Sequence, residues 1–594
     1  MGIRAEFTTG AFLALMAAPA FALTIQAPAP GSVNTISPGD DYASAILTDA
    51  WDMSDAGDLE LRKSHHLTGQ SIAGGIFTGS TTDNVPAVYP LYPGVYSSVP
   101  THKGSRYPVD TQRYRYLTIK VRAYGTGSNP DPSAGQAMVQ AFYFRDQDAL
   151  VTNQWGCSGN AFYAPGTDWQ IVTLDMQQGG TCSPSMPWTS GTIQGLRIDP
   201  VRAAGVKVDI DWIRLTSAAV TSQQRYQVSW TDTVQGASYT VTAIDPDGAR
   251  FTLGQNIVAT ALLADFSRLA PGDYRIEVSR GGASATSTGV VRVAAPATVS
   301  IADPSMRGDV SRSYANTVLG NPWGPIDSQD FYNLVNITNP VYNNPPGTLT
   351  ARATNNDPSV FMQTRRNNTF FPINTQLYRS VCFTMQLFGP QDIGAGSVAR
   401  LYWGNEHPTL TASDDIVIEE GVNEYCFEDM AEMPMEGANL TPWLADIIRF
   451  FRIDPHEFPV HQPPISQQCQ QQQTHEACRD FRIHSVTLSP FAVARPGFNV
   501  SWTHRDTDSN GHTVRVLLDQ NRTAGDGPEY PLRTVTRSPG THTLGVHVPP
   551  GVPLGKYYVA LEVQDAHATV RAYSTGPLLV EAPQDLIFAN GFQP

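Results

Sequence analysis

The 594-residue chain carries one long pattern twice, in the same order. Tyr42-Ala43, Leu47 and Trp51 recur as Tyr314-Ala315, Leu319 and Trp323. Thr111-Gln112-x-Tyr114-Arg115 recurs as Thr375-Gln376-x-Tyr378-Arg379. Pro187-Trp188 and Arg197-Ile198-Asp199-Pro200 recur as Pro442-Trp443 and Arg452-Ile453-Asp454-Pro455. Val228-Ser229-Trp230-Thr231 recurs as Val500-Ser501-Trp502-Thr503. Matches in register along the chain mark a duplication, and each copy must bury its own core.

Each copy reads as strands. Tyr116–Tyr124 and Val206–Leu215 alternate apolar and polar residues with period two, which buries one face of a sheet and wets the other. Gly, Pro, Asn and Asp clusters punctuate these runs. Helical periods are rare, and the apolar run Trp443–Phe451 is expected to hold one helical turn at most. Charged residues make up 16% of the chain, below a typical ~25%, so the polar surface leans on uncharged side chains. The predicted fold class is all-β, a tandem duplication of a jelly-roll β-sandwich followed by an immunoglobulin-like one.

Composition sets the expected boundaries. Residues 38–218 and 298–490 are the two large modules, and 220–296 and 492–583 the two small ones. Ala27 to Ser37 is expected to be a linker, and 585–594 a tail outside the fold. The N-terminus has the pattern of a signal peptide. Arg4 precedes the apolar Ala11–Ala20, and Ala20-Phe21-Ala22 suits cleavage after residue 22. No later stretch is long and apolar enough for a transmembrane helix, so export to the cell surface or beyond is expected.

Six cysteines suit an oxidising compartment. Cys157 and Cys182 form the simplest pair. Cys382, Cys426, Cys469 and Cys478 leave three connectivities open, with Cys382–Cys426 and Cys469–Cys478 the expected choice. The net charge of −15 and the lack of any Lys/Arg run argue against nucleic acid as a partner.

The small modules resemble fibronectin type III or immunoglobulin-like domains. The resemblance rests on Trp230 and Trp502 early, and on Pro271-Gly272-Asp273-Tyr274 and Leu554-Gly555-Lys556-Tyr557 late, which look like tyrosine corners. The large modules resemble the carbohydrate-binding or galactose-binding-like jelly rolls of secreted bacterial proteins. There it rests on the opening Asp40–Ser54 and the closing Val206–Thr216. The tail Asp585–Pro594 resembles an ending seen on exported proteins of Gram-negative bacteria. These resemblances imply a secreted or surface protein whose partner is a polysaccharide or cell-surface glycan.

No catalytic constellation emerges. His456-Glu457 and His461 have the wrong spacing for a zinc-protease helix, and Pro459 would break it. No nucleophile elbow or phosphate loop is present. Sugar rings stack on Trp and Tyr, so unpaired aromatics in polar sequence are the candidate ligand residues. These are Trp155, Trp169, Trp212 and Tyr92, all in the first copy. The tryptophans shared by both copies are expected in cores. Asp209 and Asp211, two apart on one strand, are candidate ligands for a structural calcium ion. The leading expectation is a non-catalytic glycan binder. The alternatives are a structural or adhesive protein without a small ligand, and a polysaccharide lyase whose residues come from scattered strands.

Overall fold

A computed structural model describes residues 23–93, 103–127, 129–145, 155–182, 186–354, 357–388, 398–406, 410–436, 440–445, 447–457, 480–494 and 497–581. The Cys469–Cys478 pair, the tail, His461 and residues 1–22 lie outside them. The described chain is almost entirely β, with a few short 3₁₀ and π turns. The run after Trp443 obeys this: Trp443–Ala445 makes one 3₁₀ turn and Phe450–Glu457 is a strand.

Both large modules are two-sheet sandwiches with one topology. In the first, a five-stranded sheet runs Gln170–Asp175, Tyr114–Gly125, Val206–Ser217, Ile76–Thr81, Leu67–Ala73. In the second, the order is Gly421–Phe427, Tyr378–Leu387, Asp480–Pro490, Thr348–Ala353, Ile337–Asn343. The facing sheets correspond too. Val88–Leu91, Gly195–Asp199, Met138–Phe144 and Gly156–Cys157 match Ser359–Met362, Phe450–Glu457, Val398–Gly404 and Thr411–Ser413. The second copy adds the edge strands Phe331–Val335 and Met435–Glu436.

The duplicated motifs hold each sandwich together. Tyr42 donates its hydroxyl to the Tyr107 carbonyl, and Tyr314 does the same to Phe371. Their rings lie 5.7 and 5.5 Å from those of Trp51 and Trp323. Trp188 Nε1 donates to the Tyr114 carbonyl at 2.9 Å, and Trp443 Nε1 to that of Tyr378 at 3.0 Å. The arginine of each Thr-Gln-x-Tyr-Arg motif forks onto an aspartate, Arg115 onto Asp175 and Arg379 onto Asp429. All six tryptophans shared by the copies are buried.

The small modules are sandwiches as well, and each has a tyrosine corner. Tyr274 donates to the Ala270 carbonyl at 2.8 Å and Tyr557 to that of Pro553 at 2.9 Å. Their chain path corrects the expected boundaries. Thr24–Ala27 pairs antiparallel with Arg225–Thr231, and Val33–Ile36 pairs parallel with Ala283–Val293. The Ala/Pro-rich segment is therefore no linker but two strands of the first small module. Likewise Thr298–Asp303, expected in the second large module, pairs with Gly497–Arg505 of the small one. Ile25 faces Trp230 and Ile301 faces Trp502, with a bulge following in both. The first large module is thus inserted after the first two strands of its small module, and the second after the first strand of its own. Short segments rich in Pro read as loops because their strand pairing is long-range.

The first large module is covered on both faces. Its five-stranded sheet meets the first small module. Lys120 on that sheet contacts Asp245 and Asp247 at 2.7 and 2.6 Å, and Arg214 donates to the Leu269 and Gly39 carbonyls. The other sheet meets the second large module, where Val417 is buried among Ala87, Tyr89, Tyr92 and Phe144. Arg62 Nη1 donates to Glu419 Oε2 at 2.6 Å beside this contact.

Candidate functional site

The residues singled out in the first copy go to packing. Tyr92 is fully buried beneath Val417, with its ring 5.5 Å from that of Tyr89. Trp212 is 7% exposed and joins the core of the first small module. Trp169 is half-buried against that core, with the Arg122 guanidinium 4.3 Å and the Lys120 ammonium 5.3 Å from its ring. Trp155 is half-buried, edge-on to Phe142 at 6.1 Å, against the cluster that holds Val417. Tyr92 and Trp212 offer no open ring face, because neighbouring modules cover both sheets of the first copy.

Asp209 and Asp211 share the outer face of their strand, and each is engaged by a different protein cation. A bulge between Ile210 and Trp212 turns Trp212 to the same outer face as the two aspartates, into the core of the first small module. Asp209 accepts from Arg122, Thr78 and Tyr124 at 2.8, 2.8 and 3.1 Å. Asp211 meets Lys120 at 2.6 Å. Protein cations thus stand on both carboxylates. Cys157–Cys182 and Cys382–Cys426 are disulfides, and the second selects one of the pairings the sequence left open. The second joins directly opposed residues of neighbouring strands.

The open aromatic face lies in the second copy, on the outer side of its seven-stranded sheet. The register aligns Asn333, Phe361, Arg452 and Tyr402 in one row across four strands. Three inter-strand steps of ~4.8 Å make this row about 14 Å long. The Arg452 guanidinium lies 4.2 Å from the Tyr402 ring and 5.6 Å from that of Phe361. It is clamped by Asp454 and Asp357. Arg400, on the same face as Tyr402, pairs with Asp415 at 2.5 Å. Guanidinium and carboxylate groups in fixed forks are the planar partners that vicinal hydroxyls need.

A second aromatic group extends the row. Tyr332 is 38% exposed, and its ring lies 6.4, 6.0 and 6.5 Å from those of Phe370, Phe450 and Phe361. Arg365 stacks on two of these rings, 4.3 Å from Tyr332 and 3.9 Å from Phe370. The small hairpin Arg365–Arg366 and Thr369–Phe370 positions this group. Its turn residues Asn367 and Asn368 both take left-handed backbone, at φ 50 and 60°. Asparagine tolerates that conformation, and it matches the strand twist. The Asn-Asn pair between short β-prone runs was the available signal for this hairpin.

The first copy keeps only the skeleton of this face. Arg197 and Asp199 stand where Arg452 and Asp454 stand, and Arg197 lies 4.9 Å from the Phe142 ring. Tyr89 and His65 are their neighbours. Burial pushes the Tyr89 phenol up to about 12, and burial with Arg197 beside it pushes the His65 imidazole down to about 4. A lyase needs an accessible tyrosine poised to lose its proton, whereas Tyr89 is fully buried and harder to ionise than usual.

Among the described residues, no helix is long and apolar enough to cross a membrane. No protein-family model matches the chain, and no curated protein matches its sequence. Among solved structures it is similar to a carbohydrate-binding module of family 29, at 11% identity and a TM-score of 0.16, over 27% of this chain and 77% of that one. It is also similar to the tandem CBM22-1–CBM22-2 domain of Paenibacillus barcinonensis Xyn10C. That match has 8% identity and a TM-score of 0.18, over 76% of this chain and 98% of that one. At these scores the likeness decides nothing about function.

Proposed function

We propose that the chain is a non-catalytic, exported glycan-binding protein whose contact surface is the outer face of the second large module. The observation that carries this reading is the group of exposed Tyr332 with half-buried Phe370 and Phe450, which continues past the buried Phe361 to the half-buried Arg452 and Tyr402. Rings supply apolar faces for sugar rings, and the Asp-clamped arginines supply fixed donors for hydroxyls. A row about 14 Å long suits an oligosaccharide more than a single sugar. The first large module then serves as a scaffold, since its corresponding face is occupied by the second.

A glycan array probed with the full chain tests this reading. Tyr332→Ala and Phe370→Ala are expected to weaken binding of the best glycan about tenfold each, at ~1–2 kcal/mol per stacked ring. Trp155→Ala is expected to leave it unchanged. Full binding by the Tyr332 and Phe370 variants, with fold intact by circular dichroism, overturns the assignment of the face.

A further inference from the structure

The two copies differ at one buried aspartate, and the difference exposes an unmet need. In the second copy Asp330 is 1% exposed and fully partnered. Its Oδ1 accepts from the Asn321 side-chain amide at 2.9 Å, and its Oδ2 from the backbone N–H of Ile326 at 2.8 Å. The duplication places Asp58 at the position of Asp330 and Asp49 at that of Asn321. Asp58 is fully buried, and its Oδ1 has no hydrogen-bond partner among the described residues. Its amide donor has been replaced by a carboxylate, which has no proton to give.

Asp55 joins them. One carboxylate oxygen each from Asp49, Asp55 and Asp58 lies within 4.8 Å of the others. Backbone hydrogen bonds shape the loop, with Gly57 N–H donating to Asp55 Oδ1 at 2.6 Å. Asp52 adds a fourth negative charge nearby. The nearest cation, Lys103, stands 3.8 Å from Asp49. One ammonium at that distance does not offset four carboxylates. Asp55 is exposed, so the cluster opens to solvent on its side.

We infer that the loop 49–58 of the first large module binds a divalent metal ion through Asp49, Asp55 and Asp58, at a site the second copy has replaced with the Asn321–Asp330 hydrogen bond. All three ligand atoms are carboxylate oxygens, with no nitrogen or sulfur among them, so the hard cation calcium is the favoured occupant. The ion does for Asp58 what the asparagine amide does for Asp330. It gives a buried carboxylate an electropositive partner and pins the loop that follows Trp51.

The test uses the full chain, stripped with EDTA and titrated with CaCl2 or MgCl2 by calorimetry and thermal unfolding. The expected result is one calcium ion per chain and a midpoint rise of roughly 5 °C at saturation. Magnesium is expected to bind at least tenfold more weakly. Asp49→Asn, which rebuilds the arrangement of the second copy, is expected to abolish calcium binding. Without calcium this variant should melt at or above the stripped wild type, because the introduced amide can donate to Asp58. Asp55→Asn, at an exposed position, is expected to weaken calcium at least tenfold with the fold intact. The inference is overturned if the wild type neither binds calcium nor melts higher with it, or if Asp49→Asn binds as tightly as the wild type.

Discussion

A single buried histidine shows how much chemistry turns on which nitrogen carries the proton. His504 is fully buried in the second small module and accepts at Nδ1 from Trp502 Nε1 at 3.2 Å. A second proton has to enter at Nδ1, which costs that hydrogen bond as well as the burial of a charge. Burial, with His512 and His542 close by, pushes the imidazole down to about 4. The unfolded chain then binds the proton first. The stabilisation is complete above the unfolded value of ~6.5 and is lost as pH falls towards 4. At 1.36 kcal/mol per unit the loss approaches ~3 kcal/mol. Unfolding midpoints measured from pH 7 to 4 are expected to fall for the wild type and to fall less for His504→Gln. Equal slopes would show that His504 is not the sensor. The residue scale also separates framework from surface. The tryptophans shared by the copies and both tyrosine corners were legible as core from repetition alone, because a residue kept at the same place in a sandwich packs the same way.

At the scale of elements, the two facing sheets exchange a ring and a glycine. In the first copy Gly195 lies opposite Phe144, whose ring covers it. In the second, Gly404 lies opposite Phe450. The ring thus stands on one strand in the first copy and on the partner strand in the second. This moves an aromatic from the covered cluster of Tyr89 and Tyr92 to the open group of Tyr332 and Phe370. The glycine is required by close approach, since a Cβ at Gly195 would sit 1.8 Å from a Phe144 ring carbon. Gly195→Ala is expected to destabilise the first large module by ~1–3 kcal/mol in urea unfolding, through overpacking. A neutral result would mean that the Phe144 ring is free to move aside. Strand alternation was legible in the sequence, but the bulge at Asp211 was not. One inserted residue reverses the face of everything after it, and it leaves no mark in the hydrophobic pattern.

At the scale of the whole molecule, the modules meet at one buried carboxylate. Glu428 of the second large module lies 3.4 Å from Arg106 of the first and 2.8 Å from Arg522 of the second small module. Burial works to raise its carboxyl, yet Arg106 and Arg522 prevail and hold it below the usual carboxylate range. Lys556 of the small module adds a contact to the adjacent Asp429 at 3.0 Å. Removing one partner of such a group leaves the others charged and buried, at a cost of ~3–5 kcal/mol. Glu428→Gln is expected to lower the calorimetric unfolding midpoint and to split one transition into two, as the modules lose their common joint. An unchanged single transition would place their coupling elsewhere.

The sequence by itself determined the duplication, the all-β class and the framework residues of all four modules, while among the cysteine pairings it left open the structure selected Cys382–Cys426. Those features depend on local periodicity and on repetition, which one dimension preserves. Only the tertiary structure decided which strands open each small module, because Thr24–Ala27 finds its partner some two hundred residues later. It also decided which copy keeps an open face. The aromatics of the first copy promised a platform, but Val417 and Glu419 of the second copy settle beside them, and Tyr332 with the half-buried Phe370 is left open instead. Whether a ring meets a sugar or a neighbouring module depends on how the two copies pack. That packing is set by surfaces hundreds of residues apart, which no local pattern records.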